Sequence, residues 1–317
     1  MAAHVLAFER PVVELVSRVR ELRKLANADQ RWNEELSRLE EKAERLAREV
    51  FGKLTPMQKV LLSRHPSRPY TLDYVERLFS DFVELSGDRR FANDASVVAG
   101  LGTFEGRSVA VVGHQKGRST KENVARNFGM PHPEGYRKAM RLYELADRFN
   151  LPLVTFIDTP GAYPGIAAEE RGQSEAIAAS IELMSKLRVP VITSIIGEGG
   201  SGGALALGVA NRVLVLEFSY YSVITPEGCA AILWKSADQA PEAAARLKIT
   251  APNLLDLGIV DVIVEEPPGG AHQDHDEAAR RLGRAISSQL SALSPLSADE
   301  LCEDRYQRFR RLGAYVA

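Results

Sequence analysis

Apolar positions near the start of the chain recur with the period of a helix. From 34 to 50 they lie three or four residues apart, and a similar pattern covers 12–25. Acidic and basic residues one turn apart can pair on the opposite face. Thr55, followed by a proline, predicts the capped start of a third helix. Because these helices leave an apolar stripe that needs a partner surface, residues 1–85 are predicted to form a helical interaction region.

From about residue 95 the pattern changes to short β-branched runs that alternate with amphipathic segments. Two strands are predicted around a Glu105-Gly106 turn in "SVVAGLGTFEGRSVAVVGHQ". Further strands are predicted at "LVTFI", "VITSII", "RVLVLEF" and "VDVIVEE", and helices at 134–149, 172–188, 202–210, 226–234 and 275–291. This alternation is typical of an α/β domain, which we place at 86–293. The polar tail, 294–317, is predicted to be helical in its last half.

Composition narrows the class of protein. The chain has 317 residues, 45% of them hydrophobic and 26% charged, with a net charge of -2. Apolar runs stay far below the roughly 18 residues that a membrane span requires. Glu9, Arg10 and Pro11 interrupt the N-terminal segment before the hydrophobic core of a signal peptide could form. We therefore expect a cytoplasmic protein that binds neither membranes nor nucleic acids. Cys229 and Cys302 cannot form a thiolate zinc site by themselves, so no metal is expected in this chain.

The segment "IIGEGGSGGALALG", 195–208, contains two overlapping glycine motifs. Gly197, Gly199 and Gly202 match the G-x-G-x-x-G of dinucleotide sites, but that motif normally opens a nucleotide-binding half and here follows several strands. Gly199, Ser201 and Gly203 match the G-x-S-x-G of serine hydrolases. Both interpretations remain open from the pattern alone.

Each enzyme class suggested by these motifs requires partners elsewhere in the chain. A hydrolase needs an acid and a histidine downstream, and only His272 and His275 follow, in a polar loop. The segment "DTPG", 158–161, imitates a GTPase motif without a preceding phosphate-binding loop. A strand that leads through glycines into a helix can also present unpaired backbone amides to negative charge. The simplest prediction is an oxyanion hole made of backbone amides, without a nucleophilic side chain.

Several motifs in a fixed order support a more specific interpretation. They are "GHQKGR" (113–118), "RNFGMPHPEGYRKA" (126–139), "DTPGAYPG" (158–165), "EERGQSEAIA" (169–178), "GEGGSGGALALG" (197–208) and "SYYSVITPEGCAAILWK" (219–235). Together they closely resemble the α subunits of bacterial acetyl-CoA carboxylase carboxyltransferases. The resemblance extends over nearly the whole chain.

The resemblance implies a crotonase-like fold, a spiral of ββα units, with an N-terminal helical extension. It implies transfer of a carboxyl group from carboxybiotin, held on a biotin carboxyl carrier protein, to acetyl-CoA. The product is malonyl-CoA, in the first committed step of fatty acid biosynthesis. The implied partners are biotin carboxylase and a β subunit that carries zinc in a four-cysteine ribbon. Activity is expected only in an α₂β₂ assembly with that subunit.

The resemblance also assigns roles to individual residues. Gly202 and Gly203 are expected to form a backbone-amide hole that faces biotin. The wall of the biotin pocket is expected to include Gly161, Ala162, Tyr163, Gly165, Gly199 and Gly200. Separately from the resemblance, the basic segment "HQKGRSTKENVAR" suggests that Lys116 and Arg118 lie near acyl-CoA phosphates or a partner surface, with a solvated basic face as the alternative. A serine hydrolase that uses Ser201, and a non-catalytic interaction subunit, are the rival functions.

Overall fold

The strands form one eight-stranded sheet at the centre of the molecule. The computed structural model describes residues 4–28 and 32–313. The strands are β1 (Ser80–Glu84), β2 (Val97–Phe104), β3 (Arg107–His114), β4 (Leu153–Thr159), β5 (Val191–Gly200), β6 (Arg212–Leu216), β7 (Tyr220–Ser222) and β8 (Val262–Val264). Their order in the sheet is β1-β2-β3-β4-β5-β6-β8, and β7 pairs with the end of β5. The first three strands are antiparallel, and the others continue in parallel from β3.

Helices connect the parallel strands and cover both faces of the sheet. They are α1 (Arg10–Ala28), α2 (Asn33–Gly52), α3 (Pro56–Ser63), α4 (Thr71–Leu78), α5 (Thr120–Ala125), α6 (Pro133–Arg148), α7 (Ile166–Glu170), α8 (Gln173–Lys186), α9 (Ser201–Leu205), α10 (Pro226–Trp234), α11 (Ala240–Arg246), α12 (Ala251–Asp256), α13 (His275–Leu293) and α14 (Ala298–Arg310). Helices α6 and α8 bury their apolar residues on one face, and α4 and α13 on the other. Both faces of the parallel strands are therefore covered, which explains their continuous apolar runs.

The predicted hairpin is confirmed. Strands β2 and β3 pair in antiparallel register from Val97 with His114 to Phe104 with Arg107. Glu105 and Gly106 form the two-residue turn, with φ angles of 47° and 78°. Positive φ at both positions matches the right-handed twist of the flanking strands, and a glycine adopts it without a Cβ clash.

The structure differs from the sequence prediction at several elements, and the short helices α5, α7, α11 and α12 were not predicted. Helix α9 ends at Leu205, several residues earlier than predicted, since a helix with glycines at its second and third positions has little intrinsic stability. Ser80–Glu84 forms an edge strand inside the segment predicted to be helical, because it pairs with β2. Helix α14 begins after Ser297, whose side chain caps it, and this start is earlier than predicted for the tail.

The N-terminal helices pack against the sheet domain through the predicted apolar stripe. Val12 of α1 and Phe51 of α2 share a buried cluster with Phe218, which follows β6. The predicted capping box at Thr55 is confirmed, since its hydroxyl accepts from Gln58 N and the Gln58 side chain accepts from Thr55 N. In the described part of the chain, every helix is too short or too polar to cross a membrane.

Candidate functional site

Two glycine-containing turns meet at the carboxyl ends of β4 and β5. A Cβ added at Gly200 would lie 2.2 Å from the carbonyl oxygen of Pro160, and one at Gly203 would lie 2.6 Å from the nitrogen of Ala162. Both distances are far below van der Waals contact, and in each case the obstacle is backbone. The two turns therefore touch main chain to main chain, and only glycine fits at 200 and 203.

Gly202 and Gly199 have different surroundings. A Cβ at Gly202 would lie 3.6 Å from the nearest atoms, which belong to the flexible side chain of Ile177. At Gly199 it would lie 2.8 Å from Cδ2 of Tyr221 on β7. Gly199 thus lets β7 approach β5, whereas position 202 has room for a methyl group.

A cleft of about 410 Å³ opens beside these turns. Its lining includes residues 160–164, Gln173, Ile177, Ser201 and 223–225. The structure therefore brings the predicted pocket residues Gly161, Ala162 and Tyr163 to the surface of the cleft. Gly165, Gly200 and Gly203 lie behind the lining, each against one of the residues 160–163, and Gly199 lies against Tyr221. Gly202 borders an adjoining apolar pocket of about 240 Å³.

Tyr163 is held rigidly in the cleft wall. Its ring stacks on His132 with 4.1 Å between centroids and 19° between planes. A Cβ at Gly165 would lie 2.4 Å from Cε1 of Tyr163, so the glycine makes room for the ring. Gln173 Nε2 donates to the carbonyl oxygens of Pro131 and Tyr163, at 2.8 and 3.0 Å. The ring position is thus fixed from both sides.

Ser201 stands at the bend between β5 and α9 with a φ of 53°. Its side chain is exposed, and its hydroxyl forms no hydrogen bond with any of the described residues. The two downstream histidines are occupied elsewhere: His272 Nε2 lies 2.8 Å from Glu9 Oε1, and His275 Nε2 lies 2.7 Å from the carbonyl oxygen of Ser67. A hydrolase triad through either histidine is therefore not assembled.

Lys116 and Arg118 make internal contacts. The Lys116 ammonium is largely buried and donates to Asp158 Oδ1 at 2.6 Å and Glu198 Oε2 at 2.8 Å. Arg118 donates to the carbonyl oxygen of Pro66 at 2.7 Å, and its guanidinium lies 4.2 Å from the centre of the Tyr70 ring. The expected contact of Lys116 and Arg118 with acyl-CoA phosphates stays a prediction.

A buried ionic network extends from Lys116 behind the cleft. Glu198 Oε1 accepts from Arg64 Nε at 2.7 Å and from the Tyr220 hydroxyl at 3.0 Å. Arg64 Nη1 also donates to Glu227 at 2.7 Å. Burial opposes ionisation of Glu198, but Lys116 and Arg64 outweigh it and lower its pKa to about 2. Glu198 is therefore a carboxylate throughout the physiological pH range.

The sequence singles out Lys116 as a basic residue but predicts neither its burial in this network nor its partners. One usable signal was local: Asp158 and Glu198 are acidic residues at the ends of the apolar runs "LVTFI" and "VITSII". An acid at the end of a buried strand needs a cation or several hydrogen bonds. The identity of the cations depends on tertiary structure, because Arg64 and Lys116 are distant from both acids in sequence.

Comparison with known proteins gives a consistent result. The family described as acetyl co-enzyme A carboxylase carboxyltransferase-like matches residues 5–313. The acetyl-coenzyme A carboxylase carboxyl transferase subunit alpha of Sorangium cellulosum is 70% identical over 316 residues, covering 100% of both chains. A subunit of the same name from Thermus thermophilus is 59% identical over 312 residues, covering 98% of this chain and 99% of that one.

Solved structures show the same fold at low sequence identity. The transcarboxylase 12S core, solved with methylmalonyl-coenzyme A and methylmalonic acid bound, aligns with a TM-score of 0.58 at 23% identity, covering 72% of this chain and 42% of that one. A Pseudomonas malonate decarboxylase hetero-tetramer in complex with coenzyme A gives 0.56 at 18%, covering 70% and 91%. With the mostly parallel sheet, these neighbours confirm the predicted crotonase-like α/β fold.

These findings confirm the family predicted from the ordered motifs, and with it a carboxyltransferase function. The match is continuous from residue 5 to residue 313 and includes both glycine turns. The chain belongs to the acetyl-coenzyme A carboxylase carboxyltransferase-like family, among its alpha subunits.

Proposed function

We propose that the chain moves a carboxyl group from carboxybiotin to acetyl-CoA and thereby forms malonyl-CoA for fatty acid biosynthesis. Carboxybiotin is presented by a biotin carboxyl carrier protein that biotin carboxylase has charged. The chain acts in the cytoplasm with a zinc-containing β subunit in an α₂β₂ assembly. The single observation that carries the assignment of the site is the contact of the two glycine turns beside an open cleft.

The cleft residues fit a flat ring with a polar oxygen. A Cβ at Gly161 would be in ordinary van der Waals contact with Ser201, 3.9 Å away, so the missing side chain leaves main chain at the cleft surface. Ala162 and the fixed ring of Tyr163 provide the sides. Biotin, when bound, supplies the transferable carboxyl group. These residues orient its ring, and the glycine turn beside them supplies main-chain donors.

The backbone amides of Gly202 and Gly203 stabilise the negative charge that develops when the carboxyl group leaves. They lie in the first turn of α9, where amides lack partners within the helix. A preorganised donor of this kind contributes about 10²- to 10³-fold in rate. The second charge of the reaction develops on the thioester oxygen, and we assign its stabilisation to the β subunit. Each subunit then contributes half of the site.

The proposed domain organisation follows the predicted boundaries. Residues 1–85 serve as the interaction region, 86–293 as the carboxyltransferase domain and 294–317 as a helical tail. The apolar face of the helical pair packs on the domain itself, so the face left for a partner is the polar one, with exposed charge pairs such as Arg48 with Glu44 at 2.6 Å on α2.

A comparison of Gly203→Ala with Gly202→Ala tests the function of the turn. The chain is assembled with the β subunit encoded in the same genome, and carboxyl transfer from malonyl-CoA to biocytin is measured. Alanine at 203 must displace the backbone at Gly161 and Ala162, so we expect kcat to fall about 100-fold or more. Alanine at 202 fits, and activity within about threefold of wild type is expected.

Further measurements separate the alternatives. If Gly203→Ala and Gly202→Ala both kept wild-type carboxyl transfer, the result would contradict a catalytic turn and favour a non-catalytic subunit. The exposed Ser201, with its positive φ, is the observation that favours a hydrolase. Loss of acyl hydrolysis in Ser201→Ala, with hydrolysis present in the chain alone, would establish that rival. Carboxyl transfer that appears only after the β subunit is added supports the shared site.

A further inference from the structure

The pairing of β4 with β5 is interrupted just before the glycine turn. Register is regular from Leu153 with Val191 to Ile157 with Ile195, but the next pair is Thr159 with Gly199. Two steps along β4 thus correspond to four along β5, so β5 carries two additional residues between 195 and 199. A bulge of this kind changes where the following turn lies relative to its neighbour.

The side chain of Asp158 takes over a hydrogen bond within the bulge. Its Oδ1 accepts from the backbone N–H of Glu198 at 3.0 Å. A Cβ at Gly197 would lie 2.4 Å from the same oxygen, so the glycine is what lets the carboxylate approach the strand. The bulged backbone is therefore held by one specific carboxylate.

Lys116 permits two carboxylates to share this position. Its Nζ donates to Asp158 Oδ1 and to Glu198 Oε2, and all three side chains are largely excluded from water. Without the cation, two buried negative charges would repel each other across the bulge. Gly129 completes the enclosure, since a Cβ there would lie 2.7 Å from Cγ of Lys116.

The other oxygen of Glu198 links the bulge to the remaining wall of the cleft. Arg64 bridges it to Glu227 on α10, and the Tyr220 hydroxyl donates to it. Residues 223–225, which line the cleft, lie between Tyr220 and Glu227 in the chain. One network thus contacts the ends of both glycine-bearing strands and both ends of the third lining segment.

We propose that Asp158, Lys116 and Glu198, with Arg64, are positioning residues for carboxyl transfer. They set the place of the 199–203 turn relative to 160–163 by fixing the bulge, and they act through the backbone rather than on the substrates. The inference rests on the proposed function of Gly202 and Gly203. A displacement of about 1 Å in such a site can cost about 100-fold in rate.

Asp158→Asn and Asp158→Leu form the first test, with chain and β subunit assembled and malonyl-CoA and biocytin as substrates. Both replacements keep the branched shape of aspartate and its number of side-chain heavy atoms, but only asparagine keeps an oxygen that can accept from Glu198 N. We expect kcat to fall less than about tenfold with asparagine and about 100-fold with leucine. The KM for malonyl-CoA is expected to stay within about twofold in both.

A second test asks whether Asp158→Asn restores kcat that Lys116→Met has lowered. A general loss of stability would not be reversed by a second substitution. The single variant leaves Asp158 without a cation and Glu198 with Arg64 alone, so kcat is expected to fall about 100-fold. Adding Asp158→Asn removes one charge and keeps the acceptor. The double variant should therefore recover about tenfold in kcat over Lys116→Met alone. If Asp158→Leu does not assemble, this pair decides the question.

The outcomes distinguish this inference from the function it rests on. Normal kcat in Asp158→Leu, or a double variant no faster than Lys116→Met, overturns the positioning role. If Gly203→Ala is also fully active, the proposed site itself has failed. If Gly203→Ala is inactive while the network variants are normal, only the positioning role is rejected. Arg305→Met, which removes a buried cation from α14, serves as the control and should keep wild-type kcat.

Discussion

Two buried cations in this chain bind their surroundings in different ways. Lys116, behind the cleft, contacts two carboxylates. Arg305, on α14, donates to the carbonyl oxygens of Leu187 at 2.7 Å and Val189 at 3.0 Å, and to Asn211 Oδ1 at 2.8 Å. The acceptors of Arg305 are neutral, and they belong to the connection into β5 and to the residue before β6. Arg305 therefore fastens a helix, whereas Lys116 balances charges that shape a bulge.

The difference has an energetic basis. Carbonyl groups at the ends of a helix and a strand need donors whatever the function of the protein, and one guanidinium can satisfy several of them. Two carboxylates placed together are costly, and removing their cation leaves that cost in full. The arrangement around Arg305 can be explained by stability alone. The arrangement around Lys116 is better explained by the position of the turn that it supports.

Removal of the Arg305 guanidinium is the strongest test of this contrast. Arg305→Met removes the donor to three buried acceptors, of which Asn211 Oδ1 keeps the Val191 N–H, and we expect the free energy of unfolding to fall by about 3 kcal/mol. Urea denaturation monitored by circular dichroism measures the change. The assembled enzyme should keep its kcat below the melting transition. A kcat that falls in parallel with stability would remove the distinction between the two cations.

Lowering the pH should reduce the stability contributed by the contacts around Lys116 more than that contributed by the contacts of Arg305. The pKa of Glu198 is about 2 in the folded chain, against 4.5 for the unperturbed group. Its ionic stabilisation is therefore fully present above pH 4.5 and is lost as the pH falls towards 2. By pH 3 the loss amounts to about 2 kcal/mol.

Differences between variants isolate this effect from other titrating groups. The gap in unfolding free energy between wild type and Glu198→Gln should narrow by about 2 kcal/mol from pH 6 to pH 3. The gap between wild type and Arg305→Met should narrow much less, because the direct acceptors of Arg305 are uncharged and Asp304 and Asp147 act on it only through space. Parallel narrowing of both gaps would show that the cleft network has no special acid sensitivity.

Much of the fold could be predicted because it depends on local patterns. The alternation on either side of Glu105 and Gly106 determines the hairpin, and the apolar runs at the starts of β4 and β5 mark buried strands. Strand β1 was missed because "SDFVE" is short and largely polar, and only pairing with β2 makes it a strand. Helix α9 was overestimated because apolar residues continue after its end.

The site was predictable only in part, for a different reason. Glycines mark a close backbone approach, so Gly161, Gly200 and Gly203 could be singled out without knowing what they approach. Nothing in the local pattern distinguishes Gly202, which has space, from Gly203, which has none. The basic residues of "HQKGR" suggest acyl-CoA phosphates, a partner surface or solvent as the surroundings of Lys116. Its burial depends on carboxylates more than forty residues away.

The smallest effect is expected at the far end of the helix that delivers Arg64. Thr55 caps α3, and Arg64 follows the last residue of that helix. Thr55→Ala removes an acceptor from the first turn and should lower the unfolding free energy by about 1 kcal/mol, while Thr55→Ser should be neutral. Because Arg64 is also held by Glu198 and Glu227, the kcat of the assembled enzyme should not change with the cap. A fall in kcat for Thr55→Ala alone would mean that α3, rather than the carboxylates, sets the position of Arg64. Some contacts of the Lys116 network would then only stabilise the fold, as those of Arg305 do, while others would set the position of the glycine turn.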